Sequence, residues 1–505
     1  MLGAPRSSRK RPERAARLPQ PGRDLPPCTP PAVAPRPVRL SDPRQREARG
    51  RSMASRKRIW GWMIFDLAQQ PYATLGLTFI FAPYFAAVAT ERFAREGLDP
   101  GLADARAQSL WASGQTVAGL VIAFTAPVLG AMADASGRRM PWIAGFSVIT
   151  VICAALLWML TPDGSMLVPA LALFFAGFVA AESATNVNNA LLPSLATGPM
   201  IGRISGSGAA LGYWGGVASL IIMLLLLAEN DRGVTLLGRP PAFGLDPEAR
   251  EGTRAVGPVI AIWYAVFIIP FFAWVRDAGP VARAKVTPRV VMSRLGEVLR
   301  DVMRRPSLAA FLGASMLYRD ALAAVYAFGG IYATLVLGWS VIQIGVFGII
   351  GAIAAAVLTW AGGLADQRLG PKPVIRFCCW VLIGVSVLVV SMSRDSLFGV
   401  TLAEGSRLPD ILFYLCGALI GGAGGALYAA SRSLMVRHAD PTRATEAFGL
   451  FALSGRATAF LAPMSIGLAT WMSGSTRAGL IPVIVLFALG LFLLRWVDRN
   501  GDRAA

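Results

Sequence analysis

Five charged side chains stand inside otherwise apolar stretches: Asp66, Glu182, Arg319, Asp320 and Arg456. A charge in hydrocarbon costs about 3 kcal/mol, so such residues persist where they meet a partner, a cavity or water. Three kinds of chemistry follow. An unpaired carboxylate in low dielectric keeps its proton to near neutral pH, which makes Asp66, Glu182 and Asp320 candidate proton or cation carriers. A carboxylate facing a guanidinium joins two elements, so Asp66 and Glu182 could instead pair with Arg319 or Arg456 and close one side of the molecule. A fixed guanidinium holds a carboxylate by two hydrogen bonds, and Arg456 is the candidate for that role. A plainer reading puts Arg319 and Asp320 on an amphipathic lead-in that reaches interfacial water. Nearby polar residues could line the same cavity: Gln69, Gln70 and Tyr72, then Asn186, Asn188 and Asn189, and Tyr326. Each of them serves equally as a helix-to-helix hydrogen bond. The single histidine, His438, reads as a solvated loop residue.

These residues need elements to position them. The chain has 505 residues, 55% of them apolar and 15% charged, with 53 glycines. A hydrocarbon layer of about 30 Å needs about 20 apolar residues per helix. That rule yields twelve runs, near 60–88, 110–131, 142–160, 167–189, 205–228, 258–275, 308–336, 341–363, 374–392, 410–430, 447–472 and 479–496. An even number returns both ends of the chain to one side. Of the Lys and Arg residues, 36 lie in the segments and span ends on that side and 10 on the other, which predicts cytoplasmic termini. Residues 1–58 hold 16 basic and 4 acidic side chains among Pro and Ala without periodicity, and read as a disordered basic tail. Within it, Met53 precedes a basic cluster leading straight into the first apolar run and reads as a second candidate start. The expected organisation is a six-helix bundle over 59–276, a basic cytoplasmic linker over 277–306, a second bundle over 307–497 and a short tail over 498–505.

The halves repeat one another. Asp66 and Tyr72 recur as Asp320 and Tyr326, Gly130 to Asp134 as Gly362 to Asp366, and Gly206 with Gly212 as Gly449 with Gly455. Repeats of this kind place a solute site between the halves near mid-membrane. Glycines spaced four apart, Gly208/Gly212/Gly216 and Gly417/Gly421/Gly425, mark faces where helices approach closely.

Other classes fall away. The net charge of +19 is concentrated in the tail, so nucleic-acid binding is not indicated. The five cysteines have no metal-ligand spacing, and Cys378 and Cys379 are adjacent. Four lysines occur, none in a phosphate-binding loop, which points away from ATP-driven pumping. No nucleophile or zinc motif is present, so neither an enzyme nor a cofactor is expected.

Residues Gly130–Arg139, GAMADASGRR, resemble the loop 2–3 signature of the major facilitator superfamily. Four further segments resemble the vacuolar amino-acid effluxer-like family known from autophagy: WGWMIFDLAQQPYATLGLTFIFAPYF (60–85), NNALLPSLA with GRISGSGAALGYWGG (188–216), LYRDALAAVYAFGGIYA (317–333) and ALSGRATAFLAP (452–463). The resemblance runs from residue 56 to about 496. It implies that Gly130, Asp134, Gly137, Arg138 and Arg139 form a cytoplasmic latch, with Asp134 engaging the N-terminal end of span 11. Plain anchoring is the alternative for the two arginines. Two positions depart from the family. Gln69-Gln70 replace its usual Asn-Ser, and Asp366 to Gly370 is one residue longer than Asp134 to Gly137, so loop 8–9 need not repeat the role of loop 2–3.

The expectation is an all-α membrane protein with twelve transmembrane helices in two six-helix bundles, the major facilitator fold with an internal pseudo-repeat. By the resemblance it is a secondary transporter of a small polar solute, an amino acid or related carboxylate, working by alternating access with protons as a candidate coupling ion. A bacterial inner membrane and a monomer are expected. The other readings are transport of other small organic anions or drugs, or a sensor or scaffold on the same fold.

Overall fold

The computed structural model describes residues 54–277 and 300–501, except positions 231, 340, 404, 476 and 500. The basic tail before residue 54, including Met53, most of the linker and the last four residues lie outside them. Among the described residues twelve helical segments are long and apolar enough to cross a membrane: Arg56–Arg95, Pro100–Ser136, Met140–Met159, Leu167–Ser194, Met200–Leu227, Glu251–Trp274, Pro306–Gly330, Gln343–Leu369, Pro371–Ser391, Leu408–His438, Pro441–Ser473 and Ala478–Trp496. They are called spans 1 to 12.

Local chemistry sets many of their ends. The Ser55 side chain caps span 1 and that of Asp99 caps span 2, with Pro100 at the first turn where no amide hydrogen is needed. Span 2 stops at Gly137, whose φ of 65° is costly for any residue with a Cβ. Two spans are irregular. Span 1 is α-helical over Arg56–Pro71 and π-helical over Tyr72–Phe79, because Pro71 lacks an amide hydrogen and disturbs the preceding turn. Span 11 is two helices, Ala444–Ala457 and Leu461–Ser473, separated by a turn at Thr458–Phe460.

The glycine stripes pack helices within each half. Gly208 and Gly212 of span 5 lie against Trp62 and Asp66 of span 1, and Gly216 lies against Thr74. In the other half, Gly417, Gly421 and Gly425 of span 10 face Phe347, Gly351 and Thr359 of span 8. The halves meet along two crossings, span 2 on span 11 and span 5 on span 8. A Cβ on Gly449 would overlap Ala126 and Pro127, and one on Gly363 would stand 2.8 Å from the Gly206 Cα, so backbone lies on backbone at both crossings. Outward faces are apolar, as with Val117, Val121 and Phe124 of span 2 and Val148 and Ile152 of span 3. That is the surface a lipid environment requires.

Two expectations are corrected here. Span 10 does not end at residue 430 but continues to His438, because no helix-stopping residue precedes Pro441. His438 is correspondingly fully buried and not solvated: its ring lies 2.8 Å from the Ser307 hydroxyl and stacks on Phe311.

Candidate functional site

The outermost polar contact between the halves is at the loop 2–3 face. Asp134 sits at the C-terminal end of span 2, and its carboxylate accepts from the Glu446 amide at 2.9 Å and the Thr445 hydroxyl at 2.6 Å, both in the first turn of span 11. Free amides and the helix dipole favour an anion at that place. Arg139 binds the same carboxylate at 2.7 Å and donates to Thr445 and to the Ala190 carbonyl. Gly130 leaves room for the approach, since a Cβ there would overlap the Thr445 backbone. Arg138 is exposed and its side chain makes no polar contact among the described residues.

Loop 8–9 repeats the arrangement despite its extra residue. Asp366 is buried against Gly202 in the first turn of span 5, with Arg437 at 3.8 Å. The extra residue is absorbed in the turn: Gly137 closes on the carbonyl three residues back, Gly370 on the one four back. The two aspartates differ in one respect. Asp366 accepts no hydrogen bond among the described residues, whereas Asp134 accepts several.

Two turns deeper lies a cluster centred on a residue the sequence reading did not single out. Arg432 of span 10 is 1% exposed, and its guanidinium reaches Asp66 of span 1 at 3.0 Å, Asn189 of span 4 at 3.1 Å, and the Ser205 hydroxyl and carbonyl of span 5 at 2.9 and 2.5 Å. It also lies over the Trp62 ring. One cation from the second half thus ties together three spans of the first. Asp66 therefore pairs with neither Arg319 nor Arg456. Arg432 was overlooked because it falls two residues beyond the expected end of span 10; the apolar Leu434, Met435 and Val436 that follow it are the signal that the helix continues.

A third group behaves differently. Arg456, at the end of the first half of span 11, approaches Glu182 of span 4 at 3.9 Å, and neither makes a hydrogen bond among the described residues. Both keep solvent access, 27% and 31% of their side-chain surface. Asn186, one turn from Glu182 on the same partly open face, has its Nδ2 without a partner, and so does the Thr458 hydroxyl at the span 11 break. Arg319 of span 7 lies against Gly455, stacks on Phe451 at 4.5 Å and donates one hydrogen bond to the Phe451 carbonyl. Gly455 is the chain neighbour of Arg456, so the two guanidiniums share one region. By helical rise, Arg432 lies about 9 Å from the latch-side end of its helix, whereas Arg456 lies about 18 Å and Arg319 about 20 Å from theirs. The third group is therefore near mid-membrane.

The remaining candidates divide. Asp320 is buried in mid-helix, not at an interface, and accepts the Ala462 amide at 3.0 Å, which caps the second half of span 11. Tyr72 is 1% exposed, its hydroxyl held by the Phe174 carbonyl at 2.7 Å, so it packs helices and lines no cavity here. Its repeat partner Tyr326 is 50% exposed. Asn188 is fully buried, with its carbonyl accepting the Trp62 indole. Gln70 reaches Thr74 at 3.4 Å, and Gln69 is partly buried.

Twelve spans among the described residues, in two repeated halves with an aspartate of each pseudo-symmetric loop lying against the first turn of a facing span, match a transporter of the major facilitator superfamily, and comparison with solved structures agrees. The human organic anion transporter MFSD10 (TETRAN) superposes with a TM-score of 0.65 at 13% identity, over 87% of this chain and 99% of that one. The proton:xylose symporter XylE gives 0.62 at 11% identity, over 88% and 96%. At these identities the likeness is one of fold. The family model "Vacuole effluxer Atg22 like" matches residues 54–505, and the chain belongs to that family. Its relatives include the uncharacterized MFS-type transporter YxiO of Bacillus subtilis, 22% identical over 87% of this chain and 94% of that protein. Autophagy-related protein 22 of Cryptococcus neoformans is 23% identical over 60% of this chain, an alignment spanning 52% of the fungal protein.

Proposed function

We propose that this protein is a secondary transporter that carries an amino acid or related carboxylate by alternating access across a bacterial inner membrane, with both termini cytoplasmic, acting as a monomer without enzymatic activity. One observation carries the reading: two ion pairs between the halves lie within the spans, one saturated and one unsaturated. The Asp66–Arg432 cluster satisfies its charges internally and spans both halves, as a lock must. Arg456 and Glu182 make no side-chain hydrogen bond among the described residues and keep part of their surface accessible near mid-membrane, as a solute site must. In this state the latch face is closed by Asp134, Asp366 and Asp66–Arg432, so the solute would enter from the opposite side.

Proton coupling is assigned to Asp66. A proton there cancels the charge that holds Arg432, and with it the ion pair that ties span 1 to span 10. Release of the lock then lets spans 2 and 11, and 5 and 8, part. The Ala- and Arg-rich composition and the excess of basic residues on the terminal side support the membrane and orientation.

The test is electrophysiology on a solid-supported membrane, together with counterflow in proteoliposomes of the full chain. Pooled amino acids and then organic acids are applied with and without a pH gradient. Saturable flux that disappears in Arg456→Ala and loses its gradient dependence in Asp66→Asn is expected. Absence of both current and counterflow across all pools would remove the solute reading and favour a sensor or scaffold on this fold.

A further inference from the structure

The charge balance at the mid-membrane group narrows the solute further. Arg319, whose guanidinium lies against Gly455 next to Arg456, and Arg456 itself share this region with one carboxylate, Glu182, which stands 3.9 Å from Arg456. The other charges nearby are already matched. Arg432 is paired with Asp66, and Asp320 is taken up by the Ala462 amide at the start of a half-helix, where about half a unit of positive charge is available. The group therefore carries one positive charge in excess, in surroundings that penalise uncompensated charge.

Its hydrogen-bonding capacity has the same bias. Arg456 uses none of its donors on protein atoms among the described residues, and Arg319 uses one. Glu182 accepts no hydrogen bond, although a guanidinium stands 3.9 Å away. At that separation the pair is too far apart to bond directly, yet close enough for one ligand to touch both. The N-terminus of the second half of span 11, which would otherwise attract an anion, is closed by Asp320, so a ligand carboxylate is left to the two arginines.

Resting on the solute site proposed above, we infer that the transported solute is an acidic α-amino acid or close analogue, bearing two carboxylates and one ammonium with net charge −1. One carboxylate takes each arginine and the ammonium takes Glu182. Every charge is then matched and the excess is cancelled. A neutral amino acid fills one arginine and leaves the excess. A dicarboxylate fills both arginines but leaves Glu182 without a cation. A monocarboxylate cancels the charge but leaves the Arg456–Glu182 pair at its present, unbonded distance.

Isothermal titration calorimetry on the full chain in nanodiscs, with L-glutamate, L-leucine, glutarate and butyrate as probes, tests this. Glutamate is expected to bind at least about tenfold more tightly than each of the other three, since a hydrogen bond to a charged group is worth about that much. In Glu182→Gln the preference for glutamate over glutarate should vanish, while binding of glutarate is kept or improved. Leucine, glutarate or butyrate matching glutamate on the unmodified chain overturns the inference and leaves the solute site standing. Binding by none of the four overturns both.

Discussion

Two arginines of this chain show what a guanidinium does when its surroundings are complete and when they are not. Arg432 is enclosed by a carboxylate, an amide oxygen, a hydroxyl and a carbonyl, so its five donors are largely satisfied and its position is fixed. Arg456 has an aromatic face beside it, Phe178, and a carboxylate beyond bonding distance. Removing one partner from a buried pair costs more than the pair contributes, because the survivor stays charged and buried. Asp66→Asn and Arg432→Gln should therefore each destabilise this state by about 3 kcal/mol. The double substitution should recover much of the loss, which thermal unfolding in detergent would read as a non-additive cycle; additive losses would show that the pair is not coupled. Glu182→Gln should cost less than either of those single substitutions, since the pair makes no hydrogen bond among the described residues and both side chains keep solvent access, and its main effect should appear in solute binding.

At the scale of elements, the crossings of span 2 on span 11 and span 5 on span 8 depend on residues without side chains. Gly206 and Gly363 bring backbone onto backbone, and Gly130 and Gly449 do the same on the other pair. Gly206→Val should wedge spans 5 and 8 apart and hold the latch face open. The measurement is maleimide labelling of Ala126→Cys, which is buried beside Gly449, in a background lacking the native cysteines. Labelling several-fold faster than in the parent is expected, and unchanged labelling would mean that this crossing is not part of closure. The break at Thr458–Phe460 has a similarly local cause, because the first half of span 11 ends beside Arg456 while the second begins under the Asp320 carboxylate. Asp320→Ala should uncap the second half-helix at a cost of about 1 kcal/mol, seen as faster hydrogen exchange over Leu461–Ser473.

Across the whole molecule, the two latches occupy equivalent places but differ in chemistry. Asp134 accepts an amide, a hydroxyl and a guanidinium, whereas Asp366 accepts no hydrogen bond among the described residues and stands beside the more distant Arg437. Asp134→Asn should therefore raise labelling of Ala126→Cys strongly and Asp366→Asn only weakly. The two effects should add, because the latches share no partner. Equal effects would mean that opening depends on the repeat's symmetry more than on its bonds.

The number of spans, the recurring spacings of the two halves and the placing of Asp134 against the first turn of span 11 were all legible in the sequence. Each rests on something local: the apolar length of a run, a recurring spacing, a short motif at the end of a helix. The five charges within the spans were legible for the same reason, as polar residues in apolar runs. Their partners were not. Asp66 and Arg432 are 366 positions apart, and what brings them together is the packing of span 10 against spans 1, 4 and 5, which no local pattern encodes. A helix end misjudged by eight residues was enough to leave Arg432 in a loop and His438 in water. Tyr72 and Tyr326 make the same point, being equivalent in the repeat yet one sealed against Phe174 and the other half open. Sequence decided which residues carry charge into the membrane, because burial cost is a property of the residue. Tertiary structure decided which of them are satisfied, because hydrogen bonding is a property of the neighbours.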